Sequence, residues 1–504
     1  MSNHINRRDL LKMSTAAMAS VSASSATALT ALTIETTQNT VPSELLKKDA
    51  LEQARLVNSG EISAKELAQA SIDQIRRTNH KLNAVVAEQF DEAISASVVG
   101  LPTGVFSGVP YLIKDLADYK GMKTSQGSRF FMRRSDVSAS SDVFVERAIQ
   151  SGFNVLGKTN TPEFGLSPTT ESLALGPSYN PWDLRRSSGG SSGGAAAAVA
   201  SGMVAIAQGS DGGGSIRIPA SCCGIFGLKP SRYRNVWSGH LAVRGFDIKG
   251  HLSRSVRDTA AALAVTERQD GSAPYAKLGY VATPNNRRLK IGVHTQGLSG
   301  AMPETEVAHA ISATADLCES LGHKVEKVSL PVDYDVYREA FLAVMSEGVG
   351  QLLNHLENSM QRKMSALDFE PLSLYLGRYF SRLETGAVDK AAHFFKQLAL
   401  SMESMFDCFD VILSPVLSRI PPTIGELGPT VPGDTLIESA LSYIDYTPLY
   451  NGTGQPSMSV PLYWTEDGLP IGSQFSAGLG QEKTLLELAY ELEQARPWAN
   501  RWPA

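Results

Sequence analysis

The densest concentration of potential chemistry lies in residues 185–220, which hold 9 glycines and 7 serines. So much glycine lets backbone approach something closely. The run is interleaved with a helix former at 195–200 and a strand former at 203–207, a pattern that a flexible linker does not show. Within it, Ser210-Asp211-Gly212-Gly213-Gly214-Ser215-Ile216-Arg217 places three glycines ahead of a serine. Successive N–H groups without Cβ obstruction converge on one point there, as stabilising an oxyanion requires, and Ser215 becomes the candidate nucleophile. Other motifs fail on context. Gly189-Gly190-Ser191-Ser192-Gly193 matches a G-x-S-x-G elbow, but that motif needs a hydrophobic strand just before it, and residues 182–187 are not one. No Gly-Lys-Ser/Thr closes the run as in a phosphate loop. The 9 histidines stand singly, without H-E-x-x-H spacing or an orienting partner. The base must then be another group that is neutral at working pH. A lysine among apolar residues and glycines has its pKa lowered, and Lys114, ending Tyr111-Leu112-Ile113, is the candidate.

The elements that must position these residues are α/β in pattern. Helices are predicted from 43 to 58 and from 63 to 79, the second opened by a Ser63/Glu66 capping box. A short buried strand at 111–113 delivers Lys114 and Asp115 at its end. Helix and strand then alternate, as at 142–151 with 153–157 and at 308–321 with 325–330, which predicts a largely buried sheet. A polar stretch at about 268–289 divides the chain, and Lys290-Ile291-Gly292-Val293 restarts a strand. No fixed-period repeat is present, so the halves are predicted to share one sheet. Residues 334–403 read as helical and aromatic, either ordinary core or a cover that walls a substrate pocket.

With 504 residues, 42% hydrophobic, 43 Gly and 25 Pro, the chain is globular rather than collagen-like or disordered. A net charge of −5 without a basic block argues against nucleic acid as a partner. The 4 cysteines (Cys222, Cys223, Cys318, Cys408) show neither CxxC nor zinc-site spacing, and Cys222-Cys223 is read as packing. At the N-terminus, Arg7, Arg8 and Lys12 precede an uncharged run at 13–32, the order of a signal peptide. The run is mostly Ala, Ser and Thr, too weakly apolar for a stable membrane span. The arginine pair resembles a twin-arginine export signal, with Ala26-Thr27-Ala28 as a cleavage site, so a periplasmic or otherwise extracytoplasmic location is expected. Residues 1–35 are assigned to signal and linker, and 36–504 to the catalytic domain.

From about Ser43 to the C-terminus the sequence resembles the amidase signature family of serine hydrolases. The motifs that carry the resemblance are 108–115, 189–197, 209–220, Gly227-Leu228-Lys229-Pro230, 252–258 and Gly468-Leu469-Pro470-Ile471-Gly472, in that order. The resemblance implies a single large α/β domain, a mixed central sheet covered by helices on both faces. It implies a catalytic triad of Ser215 as nucleophile, Ser191 as bridging serine after a cis peptide bond, and Lys114 as base. It further implies an oxyanion hole from the N–H groups of Gly212, Gly213, Gly214 and Ser215. Ser192 is expected to help hold Lys114, and Asp211 and Arg217 to be structural partners of the nucleophile loop. The implied reaction is amide hydrolysis through an acyl-enzyme, with no metal or organic cofactor and a small-molecule amide as substrate.

Within the family the glycine-serine strings look like those of the 6-aminohexanoate-cyclic-dimer hydrolases, which points to cyclic or short aliphatic amides, with aryl and fatty amides left open. Two other readings stay open: an amidotransferase A-type subunit, and a catalytically silent binding scaffold. A homodimer is left open as well. Asn451-Gly452-Thr453 matches a glycosylation sequon but is read as a Gly-containing loop.

Overall fold

The structure, a computed structural model, describes residues 43–134, 136–236 and 245–503. The expected export signal and cleavage site lie outside the described residues. Eleven strands form one mixed sheet. They are β1 (Val85–Glu88), β2 (Pro110–Lys114), β3 (Asn154–Thr159), β4 (Ile206–Asp211), β5 (Phe226–Lys229), β6 (Ile248–Ser253), β7 (Lys290–Val293), β8 (Lys324–Lys327), β9 (Val411–Pro415), β10 (Ser457–Trp464) and β11 (Pro470–Ser476). Their spatial order is β1-β3-β2-β4-β6-β5-β10-β11-β9-β7-β8. The two halves of the chain meet where β10 pairs antiparallel with β5, Met458 opposite Leu228. They form one sheet, as the absence of a repeat predicts.

The part of the sheet that matters for chemistry is its parallel trio. β2 lies between β3 and β4 and runs parallel to both. All residues of these three strands are buried, which is why the sequence reads as unbroken apolar runs there rather than as alternation. Strand periodicity then sorts the side chains. Tyr111 and Ile113 pack with Phe106, Val145 and Phe153 on one face, while Leu112 packs with the Gly193–Ala200 helix on the other. Lys114, two residues on from Leu112, therefore emerges on the face of that helix. The carboxyl ends of β2 and β4 bring Lys114 and Asp211 to one edge, where α/β sheets commonly place their ligands.

The helices flank the sheet. Ala64–Leu82 carries the predicted capping box, its Ser63 hydroxyl accepting from the Glu66 N–H while Glu66 accepts from the Ser63 N–H. The first predicted helix is shorter than expected, Ala50–Asn58, because Asp49 caps it and residues 44–48 form turns. Gly193–Ala200 is buried at every position, as befits a helix apolar all round. The predicted helical stretch beyond residue 334 is three helices, Tyr334–Met360, Pro371–Arg382 and Ala387–Phe406. Residues 182–187 are, as expected, not a hydrophobic strand leading into Ser191. Asp183–Ser187 forms a short strand paired with Tyr179–Asn180 in a separate hairpin. It is polar and partly exposed, not the hydrophobic strand of a nucleophile elbow. Among the described residues no helix is long and apolar enough to cross a membrane.

Candidate active site

Lys114 is fully buried, and its ammonium nitrogen lies 2.7 Å from Ser191 Oγ and 3.2 Å from Ser210 Oγ. Its backbone N–H donates to Gln208 Oε1 at 2.8 Å, which ties the end of β2 to β4. Burial brings the Lys114 pKa down from 10.5 to about 7; Asp247 and Asp211 oppose that shift and Lys249 adds to it. A neutral amine beside a serine hydroxyl is thus available near neutral pH.

Ser191 enters from the N-terminal end of the Gly193–Ala200 helix, after a cis peptide bond from Gly190. Gly165 crosses close beside it at φ +70°, and a Cβ there would come within 3.1 Å of Ser191 Oγ. Ser215 lies across the same cavity, which Ser191, Ser210 and Gly212 also line. The structure therefore brings Lys114, Ser191 and Ser215 to one place. Ser192 acts differently from expectation. Its N–H donates to the Ser215 carbonyl at 3.2 Å, and its hydroxyl bonds the backbone of Ser210, not Lys114. Ser210 is the hydroxyl that touches Lys114, and sequence reasoning passed over it.

The expected oxyanion donors also need revision. The Gly214 N–H donates to Asp211 Oδ1 at 2.8 Å, so it is not free to receive an oxyanion. The cause is local: an Asp at a strand end turns back to accept N–H groups a few residues on, here also those of Ile216 and Arg217. Gly214 serves packing instead, since its φ is +128° and a Cβ would come within 2.3 Å of Thr447 Oγ1. Among the described residues the N–H groups of Gly212, Gly213 and Ser215 have no intramolecular acceptor.

Asp211 and Arg217 form a fully buried ion pair at 2.8 Å. The guanidinium holds the Asp211 carboxyl well below the usual carboxylate range, against the desolvation that would raise it. Arg217 also donates to the Thr447 carbonyl, Gln474 Oε1 and Asn451 Oδ1. The Asn451 amide returns two bonds to Asp211, at 2.7 and 2.8 Å. Asn451 is thus buried in the short helix Leu449–Thr453, neither a loop residue nor an accessible sequon. Cys222 and Cys223 are buried too, and burial pushes the Cys222 thiol up to about 12, which suits packing rather than nucleophilic work.

Two lobes of cavity meet at Ser215. One gathers the polar groups Gln126, Ser191, Ser210, Asp247 and Lys249. The other is lined by Ile218, Phe341, Leu376, Ile437 and Leu441. The helices beyond residue 334 are therefore core on one side and pocket wall on the other. Phe164 and Gly165, at the junction, are held by Glu163, whose buried carboxylate accepts from Ser128 Oγ, Ser373 Oγ and the Glu370 N–H. Glu370, itself buried, accepts from the Leu173 N–H at 2.7 Å.

The model of the family described as Amidase matches residues 66–486. The chain belongs to that family. This amidase is 36% identical over 489 residues to the 6-aminohexanoate-cyclic-dimer hydrolase of Paenarthrobacter ureafaciens, covering 91% of this chain and 97% of that one. A solved 6-aminohexanoate cyclic dimer hydrolase, complexed with substrate, superposes with a TM-score of 0.84 at 33% identity, covering 91% and 99% of the two chains. A bacterial aryl acylamidase of the amidase signature family superposes with a TM-score of 0.81 at 27% identity, covering 91% and 100%. The amidase is accordingly an enzyme acting on carbon–nitrogen bonds, built on a single α/β domain with a large mixed sheet flanked by helices.

Proposed function

We propose that this amidase hydrolyses a carboxylic amide through Ser215, Ser191 and Lys114 and a covalent acyl-enzyme, on cyclic or short aliphatic substrates. The observation that carries the reading is the buried Lys114 amine 2.7 Å from Ser191 Oγ in a cavity that Ser215 also lines. Neutral Lys114 accepts the Ser191 proton as Ser191 accepts that of Ser215, and Ser215 Oγ bonds to the carbonyl carbon. The N–H groups of Gly212, Gly213 and Ser215 receive the developing oxyanion. The relay then returns the proton to the amide nitrogen, the C–N bond breaks and the amine leaves. Water adds to the acyl-enzyme by the same relay, releasing the acid and restoring Ser215.

The test is turnover of a panel of linear, cyclic and aryl amides beside fluorophosphonate labelling of Ser215. Ser215→Ala is expected to abolish both, and Ser191→Ala and Lys114→Ala to lower kcat/KM by about 10²- to 10⁴-fold with the fold intact. Unchanged turnover in Ser215→Ala would overturn the mechanism. The likeness to a cyclic-dimer hydrolase supports the cyclic or aliphatic substrate class. The Arg7-Arg8 segment supports export to the periplasm; replacing both arginines by lysine is expected to leave the protein in the cytosolic fraction of a twin-arginine-competent host.

A further inference from the structure

We propose that the ion pair Asp247–Lys249 selects amides whose amine portion carries a second, positively charged amino group and whose acyl portion is aliphatic. The inference rests on the amidase reading with Ser215 as nucleophile. Lys249 stands opposite Ser210 in the β6–β4 register, and Asp247 precedes β6 beside Gly212. Both side chains line the polar lobe together with Ser191 and Ser215. The Lys249 ammonium lies 2.9 Å from Asp247 Oδ2, but the two are not equally presented: the Lys249 side chain is 5% exposed and that of Asp247 21%. Lys249 is the buried counter-ion, and the Asp247 carboxylate is the group that a ligand meets. Among the described residues its Oδ1 has no hydrogen-bond partner. A carboxylate oxygen facing a partly dehydrated cavity is best satisfied by a charged N–H donor.

The relay fixes which part of the substrate lies there. The leaving nitrogen must collect its proton from Ser191, so the amine occupies the lobe that contains Ser191, Asp247 and Lys249. The acyl chain is left with the second lobe, whose lining contains no charged side chain among the described residues. A chain of methylenes fits that wall of Ile, Leu and Phe side chains, and an ionised acyl group does not.

Hexanoyl amides of putrescine, butylamine and γ-aminobutyrate place an ammonium, a methyl group and a carboxylate at comparable reach. With the native protein, kcat/KM is expected to be at least about tenfold higher for the putrescine amide than for the butylamine amide, and lowest for the γ-aminobutyrate amide. Asp247→Asn is expected to narrow the first ratio through KM, and Asp247→Glu to restore part of it. A measurement that needs neither variant nor turnover is protection of Ser215 from fluorophosphonate, which the putrescine amide should give at lower concentration than the butylamine amide. Equal protection by the two, or stronger protection by the carboxylate-bearing amide, with Ser215 still labelled in their absence, would overturn the selectivity and leave the amidase mechanism standing. Absence of labelling together with absence of turnover would overturn that mechanism and the selectivity with it.

Discussion

In the proposed relay Lys114 works as a base only while neutral, and its pKa near 7, set mainly by burial, places that condition close to physiological pH. Below that value the folded enzyme holds a proton that the relay cannot use. We expect kcat/KM on a non-titrating amide to rise with pH through an inflection at about 7 and then to level, as measured by initial rates across a constant-ionic-strength buffer series. A profile flat from pH about 5 to about 9 would show that Lys114 is not the base. This residue was legible because a charged side chain closing an apolar strand is conspicuous in one dimension, and Ser215 because three glycines precede it. Ser210 was not, since its hydroxyl meets Lys114 only because β4 lies beside β2, a pairing across 96 positions that no local pattern announces. Gly214 misled for a related reason. Glycine spelling shows which N–H groups can point into a cavity, but not that Asp211 takes one of them.

At the level of elements, the Glu163–Glu370 contact joins the segment before Phe164 and Gly165 to the first turn of Pro371–Arg382. Burial, with the neighbouring Glu163 carboxylate adding to it, pushes the Glu370 carboxyl up to about 8. A carboxyl raised in the folded state retains its proton where the unfolded chain has released it. Its stabilising contribution is therefore whole below the ordinary value of 4.5 and is lost as pH climbs through about 8. Glu370→Gln keeps the group neutral at all pH. The Tm difference between variant and native protein is expected to grow in the variant's favour from pH about 5 to about 9, as calorimetry or thermal fluorescence would record. A constant difference would place the proton elsewhere. Elements with strong periodicity or caps, such as Ala64–Leu82 and β7, were readable nearly to their ends. Asp183–Ser187 was not, because its strand form comes from pairing with Tyr179–Asn180 and not from its own apolar content.

Over the whole molecule, the loop that carries Ser215 is fastened to distant parts of the chain through Arg217, which reaches Thr447, Asn451 and Gln474. Arg217→Met strands a buried Asp211 charge and should cost about 3–5 kcal/mol, read as a lowered urea midpoint. The double variant with Asp211→Leu should regain part of that loss, because neither charge is then left alone. If the single variant unfolds at the native midpoint, the pair is not what fastens the loop. The single sheet shared by both chain halves was foreseen from the lack of a repeat, whereas Thr447, Asn451 and Gln474 as partners of Arg217 could not be, lying at least 230 positions away. The division of the cavity has an evolutionary corollary. Lys114, Ser191 and Ser215 come from an early stretch of the gene product, while Phe341, Leu376 and Ile437 of the apolar lobe come from helices encoded well downstream. On the proposed reading, drift or recombination in the later segment retargets the enzyme to a new acyl shape while the proton relay is inherited intact, so a chimera exchanging residues 334–443 should change what is cleaved without changing how.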